Sequence, residues 1–226
     1  LKRLLKIPWK ENKMIDIQEL EKKFNDRAIF SGLNLKLEKG KVYALIGKSG
    51  SGKTTLLNIL GKLEKIDGGR VLYQGKDLKT IPTREYFRDQ MGYLFQNFGL
   101  LENQSIKENL DLGFVGQKIS KVERLERQVE ALEKVNLGYL DLEQKIYTLS
   151  GGEAQRVALA KTILKNPPLI LADEPTAALD PENSEEVMNL LVGLKDENRM
   201  IIIATHNPLV WNKADEIIDM RELAHV

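Results

Sequence analysis

The sequence predicts an α/β fold: a parallel sheet with helices on both faces and a helical segment inserted into it. Three observations predict it. Short unbroken apolar runs, at residues 42–46, 169–172 and 200–204, have the length and composition of strands buried on both faces. Helical patterns stand between such runs, the alternation that a parallel sheet requires. Residues 97–166 differ in texture, being helical, and read as an insertion.

Taken in order, residues 14–20 alternate apolar and polar as a strand does, and Leu33-Asn34-Leu35-Lys36-Leu37 repeats the alternation. Glu38-Lys39-Gly40-Lys41 is a turn into the buried strand at 42–46. A glycine-rich loop follows, then a helix over residues 53–63. Gly68-Gly69 opens a strand that ends at Tyr73, and residues 91–95 form a short one. Ser120-Lys121-Val122-Glu123 has the spacing of a capping box, and Val122, Leu125, Val129, Leu132 and Val135 recur behind it at helical spacing. A second helix over 152–165 is stopped by Pro167-Pro168. Then come a strand at 169–173, a helix over 181–197 with proline at its start, a strand at 200–205 and a last strand at 216–220.

Composition narrows the function. With 42% hydrophobic and 30% charged residues the chain has the make-up of an ordinary folded domain. Thirty-four basic against 33 acidic residues leave a net charge of +1, with no global pull toward nucleic acid. The absence of cysteine excludes disulfides, thiolate metal sites and cysteine nucleophiles. The apolar runs are far shorter than the roughly 20 residues of a spanning helix, so a transport role would need a separate membrane chain. Residues 1–13 are basic and partly amphipathic, with Leu4, Leu5, Ile7 and Trp9. They read as a tag or start-site extension, or as an arm on a membrane surface. Met14 is a plausible start, and His225 reads as a solvated tail residue.

Gly47-Lys48-Ser49-Gly50-Ser51-Gly52-Lys53-Thr54 matches the phosphate-loop pattern of Gly, four residues and Gly-Lys-Thr, between a predicted strand and a predicted helix. Glycines let the backbone curl so that N–H groups point at phosphate oxygens, and the helix start adds partial positive charge. Lys53 is placed to neutralise the β and γ phosphates, the Thr54 hydroxyl to bind Mg²⁺, and Thr55 completes the set. This pattern alone leaves kinases, GTPases and helicases open.

Two further segments decide among them. Leu149-Ser150-Gly151-Gly152-Glu153, with Gln155-Arg156, begins a helix, and Leu169-Ile170-Leu171-Ala172-Asp173-Glu174 is an apolar strand ending in two carboxylates. The first resembles the signature sequence of the ABC ATPase family and the second its Walker B strand. The resemblance covers about residues 14–220. It implies a P-loop NTPase of ABC type, with a RecA-like parallel-sheet core, an N-terminal antiparallel β subdomain and a helical subdomain inserted at about 97–166, all in one domain over 14–226.

The chemistry agrees. Asp173, at a strand end beside the loop, suits Mg²⁺, and Glu174 is placed to polarise an attacking water. Read alone, Ser150-Gly151-Gly152 is an N-cap serine before two flexible glycines; the resemblance implies that the three cap the γ-phosphate bound to a second copy. Gln96 is implied to touch Mg²⁺ and water, and His206 to contact the γ-phosphate. Asp180, in Ala178-Leu179-Asp180, is implied to reach the dimer interface while also capping the helix that begins at Pro181. Phe24 stands where the family places an aromatic on adenine, usually tyrosine. Glu153 stands where glutamine is commoner and Ala177 where serine is frequent.

The resemblance therefore implies an ATP- and Mg²⁺-dependent motor, peripheral on the cytoplasmic face of the membrane. It pairs head to tail with a second copy of itself and with an integral membrane permease. The apolar residues of Asn97-Phe98-Gly99-Leu100-Leu101 either line the groove for a permease helix or belong to the helical core. The signature and Gln96 segments are similar to those of the macrolide, bacteriocin and lipoprotein-releasing exporters. Two rivals stand: a non-transporting regulatory ATPase paired with a membrane protein, and a soluble ABC ATPase on DNA or ribosomes, for which the long coiled coil and the second motor module are both missing.

Overall fold

The computed structural model describes residues 12–223. Residues 1–11, which hold most of the basic segment, and His225 lie outside the described residues. In chain order the first elements are β1 (Lys13–Phe24), β2 (Arg27–Glu38), β3 (Val42–Ile46), α1 (Lys53–Leu60), β4 (Gly68–Tyr73) and β5 (Lys76–Asp77). Then follow α2 (Thr83–Glu85), β6 (Met91–Leu94), α3 (Ile106–Asp111), α4 (Lys121–Lys134) and α5 (Gly151–Lys165). The last are β7 (Leu169–Asp173), α6 (Pro181–Gly193), β8 (Met200–Ala204), α7 (Pro208–Trp211), β9 (Glu216–Asp219) and α8 (Met220–Leu223).

Two sheets form. One is antiparallel, with order β2-β1-β4-β5; the other is parallel, with order β6-β7-β8-β3-β9. This is the α/β P-loop fold expected, with the helical α3–α5 segment between β6 and β7. No helix among the described residues is long and apolar enough to cross a membrane.

The side-chain period of a strand explains the continuous apolar runs. Leu169 and Leu171 of β7, with Met200 and Ile202 of β8, enter one core together with α1 and the antiparallel sheet. Ile170, Ala172, Ile201 and Ile203 point the other way, into a second core with α3, α5 and α6. A strand with core on both sides cannot alternate with polar residues. Burying each such leucine or isoleucine contributes about 1.5–3 kcal/mol, which anchors the parallel strands between the two cores.

Several boundaries differ from the sequence reading. β1 continues past residue 20 to Phe24 and β2 starts at Arg27, ahead of residue 33. Asn25 takes φ 53 in the tight turn between them, which lets the ladder close to its tip. α1 ends at Leu60, where the Gly61 N–H bonds back to the Leu57 carbonyl. α6 ends at Gly193, four residues early, because glycine is a poor helix former.

The helix read from this spacing forms as α4, and its apolar residues divide between core and surface. Leu132 and Val135 are buried, but Val122, Leu125 and Val129 are exposed. The inward face of the first turns is polar: Gln128 is buried and bonds the Lys107 carbonyl and Asp111, while Arg124 and Arg127 lie over the Phe114 ring. Ser120 caps this helix by accepting from the Glu123 N–H. Reciprocal capping boxes form at Ser105–Glu108 and Ser150–Glu153, neither of which the apolar pattern had marked.

Candidate active site

The parallel sheet brings the motifs together because its strands end on one edge. β3 runs into residues 47–52, and α1 starts at Lys53. Gly52 has φ 93, and a Cβ there would lie 2.9 Å from Ile29 Cγ2 and Phe30 Cζ, so only glycine fits between the loop and the β1–β2 hairpin. The first turn of α1 carries no acidic residue, leaving its positive end free for an anion. Lys53 is buried, and its Nζ donates to the carbonyls of Gly47 at 2.9 Å and Lys48 at 3.3 Å. The ammonium is thus held by its own loop, on bonds that phosphate oxygens can replace.

β7 delivers Asp173 to the same point. Thr54 Oγ1 donates to Asp173 Oδ1 over 3.1 Å. Burial pushes the Asp173 carboxyl above the usual range, and the Thr54 hydrogen bond opposes this. Hydroxyl and carboxylate oxygens beside a phosphate loop are the hard donors that Mg²⁺ takes, so Thr54 and Asp173 fit it, and the Gln96 amide lines the same cleft as Thr54.

Glu174 has φ 46, a left-handed conformation that costs a non-glycine residue about 1 kcal/mol. Its N–H donates to the Ala204 carbonyl at 2.9 Å, tying it to the end of β8. Two residues past Ala204, His206 Nδ1 lies 2.9 Å from Glu174 Oε1. A cleft of about 630 Å³ joins Phe24, residues 47–50, residues 52–55, Gln96, Glu174 and His206. Ser51 stands apart from its lining, with a buried Oγ that has no partner among the described residues.

Ser150, Gly151, Gly152 and Asp180 do not line that cleft. Ser150 caps α5 and Asp180 caps α6, accepting from the Asn183 N–H at 3.0 Å. The two helix starts meet: a Cβ on Gly152 would lie 2.6 Å from Asn183 Oδ1, and one on Gly151 3.6 Å from Leu179 Cδ2. One chain therefore holds two separate clusters of the predicted residues. The segment after Gln96 links them, since Phe98 lies against Gly151 and Lys161 Nζ donates to the Gly99 carbonyl at 2.6 Å. Phe98 and Leu100 pack on the second core, whereas Leu101 is exposed.

Two cations, one lining the cleft and one beside its Phe24, escaped sequence reasoning. Arg27 Nη2 donates to the Gly50 carbonyl at 3.0 Å, bracing the loop from the hairpin. Lys22 is buried, paired with Glu64 at 2.8 Å, and its Nζ lies 4.7 Å from the centre of the Phe24 ring. Neither belongs to a motif; both arrive through the β1–β2 hairpin, whose tip only the fold brings to the loop.

Comparisons with known proteins point to one family. The family described as "ABC transporter" matches residues 30–177. The chain is 37% identical over 198 residues to the macrolide export ATP-binding/permease protein MacB of Escherichia coli strain K12, covering 86% of this chain and 30% of that protein. It is 39% identical over 197 residues to the uncharacterized ABC transporter ATP-binding protein YvrO of Bacillus subtilis, covering 86% of each. The dimeric ATP-binding cassette MJ0796 bound to ADP and Pi superposes with a TM-score of 0.81 at 34% identity, over 91% of this chain and 94% of that one. The cbiO1 chain of Clostridium perfringens, part of an ABC transporter complex, gives 0.81 at 30% identity, over 92% and 85%. The chain spans about 30% of the length of the MacB proteins it matches.

Proposed function

The chain belongs to the ABC transporter family, and from that premise we propose that it is the ATP-binding and ATP-hydrolysing motor of a bacterial exporter, working as a head-to-tail pair joined to a membrane permease. The observation that carries this reading is the Glu174–His206 pair facing the Lys53–Thr54 end of the phosphate loop across one cleft.

On this reading the backbone N–H groups of residues 47–52 and the start of α1 hold the polyphosphate. Lys53 exchanges the Gly47 and Lys48 carbonyls for β- and γ-phosphate oxygens. Thr54, Asp173 and Gln96 would hold Mg²⁺, which when bound would supply charge neutralisation on the phosphates. Glu174 accepts the proton of the water that attacks the γ-phosphorus, the bond to the bridging oxygen breaks, and ADP leaves with that oxygen. His206 orients Glu174 and contacts the γ-phosphate. Phe24 offers its ring to adenine, and Thr55 lines the same polyphosphate site. Ser150, Gly151 and Gly152 of one copy complete the site of the other, with Asp180 at the junction. Closure follows ATP binding and is released by hydrolysis.

Dimeric and permease-linked relatives support the pairing: MJ0796 is a dimeric cassette, and MacB is named an ATP-binding/permease protein. The permease places the motor at the cytoplasmic face, peripheral to the membrane. A macrolide, bacteriocin or lipoprotein-type cargo fits the MacB likeness.

The test is a pull-down from native membranes with ATP-trapped Glu174→Gln chain, followed by mass spectrometry. A permease with a large extracytoplasmic domain is expected. Recovery of soluble or ribosomal partners alone overturns the transporter reading, and a membrane partner that moves no cargo in vesicles turns it into a regulatory ATPase.

A further inference from the structure

The Ser150 hydroxyl is already occupied from within its own helix. Its Oγ donates to Glu153 Oε2 over 2.7 Å, and the Ser150 N–H donates to the same oxygen over 2.8 Å. The Glu153 N–H donates back to Oγ over 3.3 Å. A serine hydroxyl has one proton to donate, and here it points at Glu153 Oε2. The Tyr139 hydroxyl donates to the other carboxylate oxygen, Oε1, at 2.8 Å and sets the orientation of the group. These bonds, the Ser150 backbone N–H first, hold the Glu153 carboxyl below the usual range. A negative charge therefore stands at the helix end that would otherwise attract an anion.

We infer that Glu153, oriented by Tyr139, is a positioning residue that reserves the Ser150 hydroxyl until the triphosphate of a second copy displaces it, and so sets the ATP concentration at which two copies close. The inference rests on the head-to-tail pairing proposed above. Two effects act in one direction. The hydroxyl must give up its hydrogen bond to a carboxylate before it can donate to a phosphate oxygen, and the phosphate must approach that carboxylate against like-charge repulsion. Arg156, three residues on, is turned toward Glu186 on α6, so it is not free to meet the incoming phosphate. Asn183 packed on Gly152 holds the helix start in place. The conflict is relieved by rotating the Ser150 and Glu153 side chains, not by shifting α5.

The experiment titrates the Glu174→Gln chain with ATP and Mg²⁺ and follows dimerisation by light scattering, with and without Glu153→Gln. Glutamine keeps the capping box, since the motif accepts either residue, but removes the charge. The ATP midpoint for dimerisation is expected to fall about fivefold. Fluorescent-nucleotide affinity at the monomer's own phosphate loop is expected to stay constant, which a general structural effect would not allow. Tyr139→Phe, at an exposed position that does not endanger folding, frees the carboxylate and lowers the midpoint by a smaller factor. An unchanged or raised midpoint in Glu153→Gln, or in Tyr139→Phe should the first variant not fold, overturns the inference while leaving the pairing intact. A Glu174→Gln parent that stays monomeric at every ATP concentration overturns both.

Discussion

His206 Nδ1 and Glu174 Oε1 stand 2.9 Å apart, joining the ends of two parallel strands that are adjacent in the sheet. A carboxylate accepts, so this contact puts a proton on Nδ1 of the ring. The histidine, mostly exposed, thereby fixes the direction of a carboxylate that is largely buried. If Glu174 takes the proton of the attacking water, Glu174→Gln keeps ATP affinity and lowers steady-state hydrolysis by about 10²–10⁴-fold. Phosphate release and fluorescent-nucleotide titration measure the two separately. Near-normal turnover in the variant removes Glu174 from the base role.

Arg27 offers a second test. It donates to the Gly50 carbonyl and lines the cleft beside the phosphate loop. Arg27→Ala is expected to weaken ATP binding by about five- to tenfold, as loss of a charged hydrogen bond does, with little change in melting temperature. Arg27→Lys should recover part of the affinity. Equal affinities in titration calorimetry would show that the guanidinium only decorates the loop.

Gly52 sets a limit on the loop itself. Alanine there must adopt φ 93 and place its Cβ 2.9 Å from Ile29 and Phe30. Thermal unfolding of Gly52→Ala should report a loss of about 2 kcal/mol or more, with nucleotide binding lost in parallel.

Lys161 makes stability depend on pH. Burial pushes its ammonium down from 10.5 to about 8. Between those values the unfolded chain binds more protons than the folded one, so this group adds stability as pH rises through the window and withdraws it as pH falls toward 8. Replacing it by methionine removes this dependence. Comparing melts at pH 7.5 and 10, the wild type should gain about 1–2 kcal/mol relative to Lys161→Met, less than the full shift because the side chain is only partly buried. A gap that does not change with pH would place the ammonium in solvent.

The motifs were legible because each is local. A phosphate loop needs glycines at fixed offsets between one strand and one helix, so residues 47–54 carry their own geometry. The paired carboxylates Asp173-Glu174 and the apolar runs of β3, β7 and β8 follow from period and burial on both faces in the same way. Val122, Leu125 and Val129 marked the helix but not its inward face, because a helical period is shared by a buried face and an exposed one, and α4 turns its polar Gln128 inward.

From the sequence alone came the fold class and the phosphate loop, which depend on neighbours a few residues away, while Gln96, Ser150 and His206 were singled out by the resemblance to the ABC family. Tertiary structure decided the rest. It brought Arg27 to Gly50 across 23 positions, set Lys22 behind Phe24, closed Glu174 on His206 across 32 positions, and gave the Ser150 hydroxyl to Glu153 with Tyr139 behind it. Such pairings leave no periodic trace, because a hairpin tip, a strand end and a helix cap meet only after the two cores have formed around the parallel sheet and fixed where each element ends.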